Sequence, residues 1–254
     1  MSLLAGKKIL ILGIANEKSI AFGIAKALKK HGASIALSFQ NEQLQKRVEP
    51  LAKELDADFI FEMDVSNDEH YERMREIITQ KWGKIDGVVH SLAFADREDL
   101  KCNFSQTSRK GFALACDISA FSLIGVSNSL KDLINKGGSI FALTYHGSQK
   151  VTPGYNVMGV AKAALEASMR YLADDLGPMD IKVNCISAGY IRTLASSAVK
   201  GAKEMISLSE EKAPLRRGVS PDDVGGTAVY LASDLSNNVT GQILYVDSGL
   251  SIMA

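Results

Sequence analysis

The chain has 254 residues, enough for one large α/β core, and its 46% apolar and 23% charged residues exclude a disordered chain and a membrane protein. Twenty-nine basic residues balance twenty-nine acidic ones, and a net charge of zero speaks against a general nucleic-acid binder. Cys102, Cys116 and Cys185 are too widely spaced for a disulfide framework or zinc site, and His31, His70, His90 and His146 show no ligand spacing, so no metal is expected.

The first apolar run, Ile9 to Ala15, is too short to cross a membrane and carries glycine inside, which predicts neither a span nor a secretory signal but a cytoplasmic protein. Lys8 to Leu12 has the continuous apolar character of a strand buried in a parallel sheet. Gly13 follows it directly, and a loop runs to Lys18. Ser19 then opens a helix to about His31, with Ile20, Ile24, Ala27 and Leu28 on one face and Gly32 at its end. A strand, glycine turn and helix in this order present free backbone N–H groups and a positive helix end to a pyrophosphate. The spacing from Gly13 to Gly23 departs from the usual Gly-x-Gly-x-x-Gly.

Ser34 to Phe39 is a second strand that ends at Gln40-Asn41, where such folds meet the adenosine ribose. An amide there bonds a 2′-hydroxyl, whereas a 2′-phosphate needs a basic partner, and Lys46 and Arg47 lie well into the next helix. The pattern predicts NADH as cofactor. Phe59 to Met63 delivers Asp64-Val65, an acid for the adenine amine and an apolar cover for the ring. After a helix to Trp82, Gly87 to Ser91 forms a fourth strand, and Ser91-Leu92-Ala93-Phe94-Ala95 leaves its carboxyl end, the edge at which doubly wound sheets bind ligands.

A long helical stretch, about Ser108 to Leu130, precedes an apolar strand over Ile140 to Leu143, and Tyr145 stands just beyond it. Gly147, Pro153 and Gly154 break the chain before a strong helix former that starts near Tyr155. Tyr155 and Lys162 are seven residues apart, about two turns, so a helix puts both on one face. An ammonium near a phenol favours its ionised or strongly donating form, and the same lysine can hold ribose hydroxyls. These three residues, Tyr145, Tyr155 and Lys162, are the candidate catalytic set.

Ile181 to Ile186 is a sixth strand, and Ser187 to Ala195 leaves it in position to close over a nicotinamide. Ser196 to about Arg217 reads as a poorly punctuated helical lid, so the lid is expected over about 193–217. Ser220-Pro221-Asp222-Asp223 opens another helix, Gln242 to Val246 is the last strand, and Asp247 to Ala254 is a tail. Strands and helices alternate without repeats or linkers, which predicts a single domain, 1–254, of the α/β class with a doubly wound, mostly parallel sheet.

On that fold the chain resembles the enoyl-acyl-carrier-protein reductases, a divergent branch of the short-chain dehydrogenases. The resemblance spans nearly the whole chain. It rests on Gly13 with Ser19-Ile20-Ala21-x-Gly23, on His90-Ser91-x-x-Phe94-Ala95, on Tyr145 with Tyr155-Asn156-Val157-Met158-Gly159 and Lys162, and on Ser187-Ala188-Gly189 with Ile191 to Ala195. The ordinary short-chain pattern, Tyr-x3-Lys with a serine thirteen residues before the tyrosine, meets Gly159 and Ala142 here, so the generic ketone-reducing site is absent.

The resemblance implies NADH-dependent reduction of the trans-2 double bond of enoyl thioesters in fatty-acid elongation. It implies that Gly13, Ser19, Ile20, Gln40, Asp64, Val65, Leu92, Lys162, Ile191, Arg192, Thr193, Leu194 and Ala195 bind the dinucleotide and that Ala95 lines the acyl site. Tyr155 is then the donor to the thioester oxygen, with Tyr145 a second donor or a proton-path residue. A homotetramer and an acidic acyl carrier protein as substrate partner are also implied, with Lys200, Lys203, Arg216 and Arg217 as a candidate basic rim. Ala93 stands where many relatives have glycine beside the nicotinamide. The competing readings are a reductase of another carbonyl and a nucleotide-binding regulator without turnover.

Overall fold

The computed structural model describes residues 2–193, 207 and 210–253. Seven strands form one sheet: β1 Lys8–Leu12, β2 Ser34–Phe39, β3 Phe59–Glu62, β4 Ile85–His90, β5 Ile134–Thr144, β6 Lys182–Ala188 and β7 Ile243–Val246. Their order is β3-β2-β1-β4-β5-β6-β7, and every pairing is parallel. The doubly wound α/β fold read from the alternation is the fold observed.

Both sheet faces are covered, which is why the strands are apolar on both sides. In β1, Ile9 and Ile11 enter one core while Leu10 and Leu12 enter the other, the period of two expected for a strand. All four are at most 1% exposed, so each contributes on the order of 1.5–3 kcal/mol of transfer free energy. The first core packs α1 Ile20–Lys30, α2 Glu42–Glu54 and α8 Pro221–Ala232 on the sheet. The second packs α3 Asp68–Lys81, α6 Ser122–Leu130 and α7 Val157–Leu176. Two shorter helices, α4 Arg97–Lys101 and α5 Arg109–Cys116, complete the α-helices among the described residues that the sheet and its cores position.

Three elements differ from expectation. β5 begins at Ile134 and not at Ile140, because Asn135-Lys136-Gly137-Gly138 is an irregular strand start where the register with β4 shifts between Ile85 and Gly87. The stretch from Ser108 to Leu130 is broken by a π-helical turn, Asp117–Phe121, between α5 and α6. Tyr155 lies outside α7, which starts at Val157. Asn156 between them has φ 42° and ψ −125°, a conformation no helix contains, so the helical-face argument does not govern where Tyr155 points. Of the expected lid, Leu194, Ala195, Lys200 and Lys203 lie outside the described residues.

Candidate active site

The carboxyl ends of β1, β4, β5 and β6 lie side by side, with Leu12 level with His90, His90 with Ala142, and Ala142 with Cys185. The loops leaving these ends carry Gly13, Leu92, Tyr145 and Ile191. The strand order departs to either side of β1 and β4, the switch point at which open sheets of this kind bind ligands.

At the first loop Gly13 has φ 97°, and a Cβ built on it would stand 2.1 Å from the Ser91 carbonyl oxygen. Glycine is required there by both conformation and space. The turn delivers the chain to Ser19, which caps α1: its hydroxyl accepts from Phe22 N at 3.3 Å and donates to Asn16 O at 2.7 Å. No acidic side chain occupies the first turn of α1, so its positive end is left for an anionic ligand. Ile20 opens the helix, half-buried.

At the end of β2, the Gln40 amide donates to Asp64 at 3.2 Å, so the residue expected at the ribose and the one expected at the adenine adjoin. Asp64 also accepts from Ser66 N and Oγ at 3.0 and 2.7 Å, and its own N–H donates to His70 Nδ1 at 2.9 Å. Burial raises the Asp64 pKa, but the hydrogen bonds from Ser66 and Gln40 and the field of His70 outweigh it and leave the carboxyl below its usual value. Val65 is buried beside it. Lys46 and Arg47 sit in the second turn of α2, behind the Asn41 cap. Leu92 is half-buried, Ile191 is buried, Arg192 is exposed and Thr193 is half-buried. Gly13, the free end of α1 and the paired Gln40 and Asp64 suit a dinucleotide with an unphosphorylated adenosine ribose.

The rings of Tyr145 and Tyr155 meet edge to face, 4.8 Å between centroids, and Tyr190 meets Tyr145 in the same manner at 5.3 Å. The Tyr145 hydroxyl is buried and makes no hydrogen bond of good geometry, although Tyr190 and Thr152 lie near enough to act on its pKa. An orphaned buried phenol beside a half-buried one is a natural place for a polar ligand atom. Burial raises the pKa of Tyr155, and Glu166 and Tyr190 act in the same direction. Both phenols are therefore neutral donors at physiological pH, which selects the donating form and not the ionised one.

Lys162 is 5% exposed, and its ammonium donates to Leu143 O at 2.6 Å. Burial depresses its pKa to about 8, opposed by Cys185 and Glu166. Glu166, one turn further along α7, is buried and accepts from Thr144 Oγ1 at 2.7 Å and Ser148 Oγ at 2.6 Å. It thereby ties the loop after β5 to α7 and lays negative charge beside Lys162. Sequence reading passed over Glu166 as a helix former, although its four-residue offset from Lys162 was a usable signal. It also left His146 open; the ring stacks on Tyr145 at 4.5 Å, and its Nε2 is 3.2 Å from Thr152 Oγ1. Tyr190, missed as well, has no local signal beyond its place after Gly189. Ala95 is half-buried and packs against a small cluster that includes Tyr155, whereas Ala93 is exposed.

A family model described as enoyl-(acyl carrier protein) reductase matches residues 13–251. The chain belongs to the enoyl-(acyl carrier protein) reductase family. It is 51% identical over 253 residues to the NADH-dependent enoyl-acyl-carrier-protein reductase of Nostoc sp., covering 98% of each chain. It is 50% identical to that of Rickettsia felis, covering 99% of this chain and 96% of the relative. Among solved structures, the Bacillus cereus enoyl-acyl carrier protein reductase with NADP+ and an indole naphthyridinone superposes with a TM-score of 0.98 at 48% identity, over all of both chains. The Anaplasma phagocytophilum enzyme in complex with NAD gives 0.95 at 45%, over 98% of this chain and 95% of that one.

The fold of this enoyl reductase also shows why the ordinary short-chain spacing fails in it. A Cβ on Gly159 would lie 2.7 Å from Gly147 O, and one on Gly147 would lie 2.6 Å from the Tyr155 ring. No lysine fits at position 159. The ammonium is supplied instead from Lys162, one turn later, beneath Leu143.

Proposed function

We propose that this chain is an NADH-dependent enoyl-acyl-carrier-protein reductase that reduces the trans-2 double bond of enoyl thioesters, the last step of the fatty-acid elongation cycle. The observation that supports it best is the pair of neutral phenols, Tyr145 and Tyr155, packed edge to face at the carboxyl edge of the sheet, where the buried Lys162 donates to Leu143 O at the end of β5. NADH, when bound, supplies hydride to the β carbon, leaving an enolate on the thioester oxygen. Tyr155 donates a hydrogen bond to that oxygen, and the bond strengthens as negative charge develops. Lys162 holds the nicotinamide ribose and keeps positive charge under the site. Tyr145 is the second donor or a link in the proton path.

Gly13, Ser19, Ile20, Leu92, Ile191, Arg192, Thr193, Leu194 and Ala195 hold the rest of the dinucleotide, with Gln40, Asp64 and Val65 at the adenosine end, and Ala95 borders the acyl chain. The segment 193–217 is the substrate lid. Arg216 and Arg217 are exposed at its end, and with Lys200 and Lys203 they suit the acidic surface of a carrier protein. A homotetramer fits the outer face of α5, α6 and α7. There Phe112, Phe121, Ile124 and Tyr171 are 42%, 49%, 38% and 80% exposed, and a groove of about 290 Å³ runs between Phe121, Ile124 and Leu172. The helical run Arg109–Leu133, which supplies the α5 and α6 part of that face, is long and apolar enough for a membrane span, but its other face is in the core. The absence of a serine and lysine at Ala142 and Gly159 disfavours reduction of a simple ketone.

The test is Tyr155→Phe with a trans-2-enoyl thioester. Loss of one transition-state donor lowers kcat by roughly 10²- to 10³-fold with nucleotide affinity retained. A variant that turns over like the parent would remove Tyr155 from the chemistry.

A further inference from the structure

The residue after Tyr155 does something the reaction does not require of it. Asn156 holds φ 42° and ψ −125°, a region that glycine favours, immediately before the first turn of α7. Its side-chain amide donates to three backbone carbonyls: Asp99 O at 3.4 Å, Leu100 O at 3.3 Å and Cys102 O at 2.7 Å. These belong to the last residues and cap of α4, carbonyls that a helix end leaves without intrahelical partners. The backbone twist that excludes Tyr155 from the helix is also what turns the Asn156 amide toward α4.

The segment it grips is otherwise held lightly. Asp99, 6% exposed, accepts from Ser108 N at 2.7 Å and Ser108 Oγ at 3.0 Å, which closes the loop between α4 and α5 on itself. Its apolar anchorage is a cluster separate from both main cores: Leu100, Ala115, Val157, Met158 and Ala161, with Ala95 and the Tyr155 ring packed against it. Phe94 and Phe104, at the two ends of the segment, are 48% and 52% exposed. One asparagine thus ties the wall that follows β4 to the backbone of the candidate catalytic tyrosine.

We propose that Asn156 is a positioning and specificity-determining residue that latches residues 96–107 against α7 and so fixes the wall along which the acyl chain lies relative to Tyr155. The inference rests on the reading of this site as an enoyl reductase. The donors matter, not the bulk. Glycine at 156 keeps the backbone conformation and deletes the amide, while aspartate keeps the shape and presents a carboxylate to three carbonyls.

The experiment compares the full-length protein with Asn156→Gly and Asn156→Asp, using NADH and trans-2-enoyl thioesters of short and long acyl chain. Hydrogen exchange of the backbone is followed in parallel. Expected is a rise of roughly tenfold in KM for the long-chain thioester in both variants, with kcat and the KM for NADH changed less than about threefold. Exchange should accelerate over 96–107 and leave β4 and the body of α7 as protected as before. Unchanged thioester KM and unchanged exchange would overturn the latch, as would a loss confined to kcat. If the parent protein itself fails to turn over enoyl thioesters, the functional reading fails, and the exchange data still decide whether Asn156 holds the segment.

Discussion

Replacing Lys162 by methionine should remove activity and yet spare the folded protein a penalty. The lysine is 5% exposed, and burial lowers its pKa from 10.5 to about 8. At about 1.36 kcal/mol for each pH unit, that difference amounts to roughly 3 kcal/mol of stability withheld while the side chain must be charged. The sign follows from proton counting. Between about pH 8 and 10.5 the unfolded chain binds a proton that the folded one does not, so stability rises with pH through that window. Methionine has similar reach and no charge, but it leaves Leu143 O without the donor it now has at 2.6 Å, a loss of about 1–3 kcal/mol. Near pH 7 the variant should therefore match or exceed the parent in stability, and by pH 10.5 it should have lost roughly 3 kcal/mol against it. That corresponds to about 6 °C or more in relative melting temperature for a chain of this size. Melting of both proteins without nucleotide, at a series of pH values, reads the effect directly. A difference constant from pH 7 to 10.5 would refute the argument that a buried ammonium is held here at a cost.

Other consequences are independent of this one. Gly159→Ala places a methyl 2.7 Å from Gly147 O, and the displaced turn carries the Tyr155 ring with it; a loss of about 1–3 kcal/mol in denaturant unfolding and at least a tenfold fall in kcat are expected. Glu166→Gln removes a carboxylate that raises the Lys162 pKa, so an alkaline limb of the kcat/KM profile, expected where Lys162 loses its proton, should move to lower pH in the variant. A limb that stays in place would detach the profile from Lys162. Arg217→Glu should weaken turnover of carrier-protein thioesters while sparing coenzyme A thioesters, and equal effects on both would remove Arg217 from the docking rim.

What the sequence disclosed, and what it hid, divides along the range of the interactions involved. β1 is legible because burial on both faces demands an unbroken apolar run, Ile9 to Leu12, and β2 and β6 remain legible from Ile35-Ala36-Leu37 and from Val183, Cys185 and Ile186, although buried polar residues, Ser38 in one and Lys182, Asn184 and Ser187 in the other, interrupt them. The α8 start is legible because Ser220, Pro221 and Asp223 carry its cap within four residues, and the structure shows the reciprocal bonds between Ser220 and Asp223. The position of Tyr155 is not legible, since nothing local marks Asn156 as a residue with positive φ; three carbonyls from α4, more than fifty residues away, hold it there. The π-helical turn at Asp117–Phe121 is set similarly, with Ser119 bonded to Phe94 N at 3.1 Å and Ser122 to His90 at 2.7 Å. The early start of β5 is concealed by Gly137 and Gly138, which signal a turn and instead mark an irregular edge of the strand. Lys162 is nameable from its spacing to Tyr155 and Tyr145 from its place just beyond the β5 strand, but their environment, a buried hydroxyl without a hydrogen bond of good geometry and a lysine under a carbonyl, exists only in the folded chain.

The central claim, that the two tyrosines and Lys162 serve conjugate reduction by NADH, is tested most directly by following reduced-nicotinamide absorbance with a trans-2-enoyl thioester, in parallel with NADH and NADPH, and weighing the product. The account predicts faster oxidation of NADH and one saturated thioester formed for each NADH consumed. Absence of turnover with either nucleotide, in protein shown to bind one of them, would contradict it and favour a nucleotide-binding regulator.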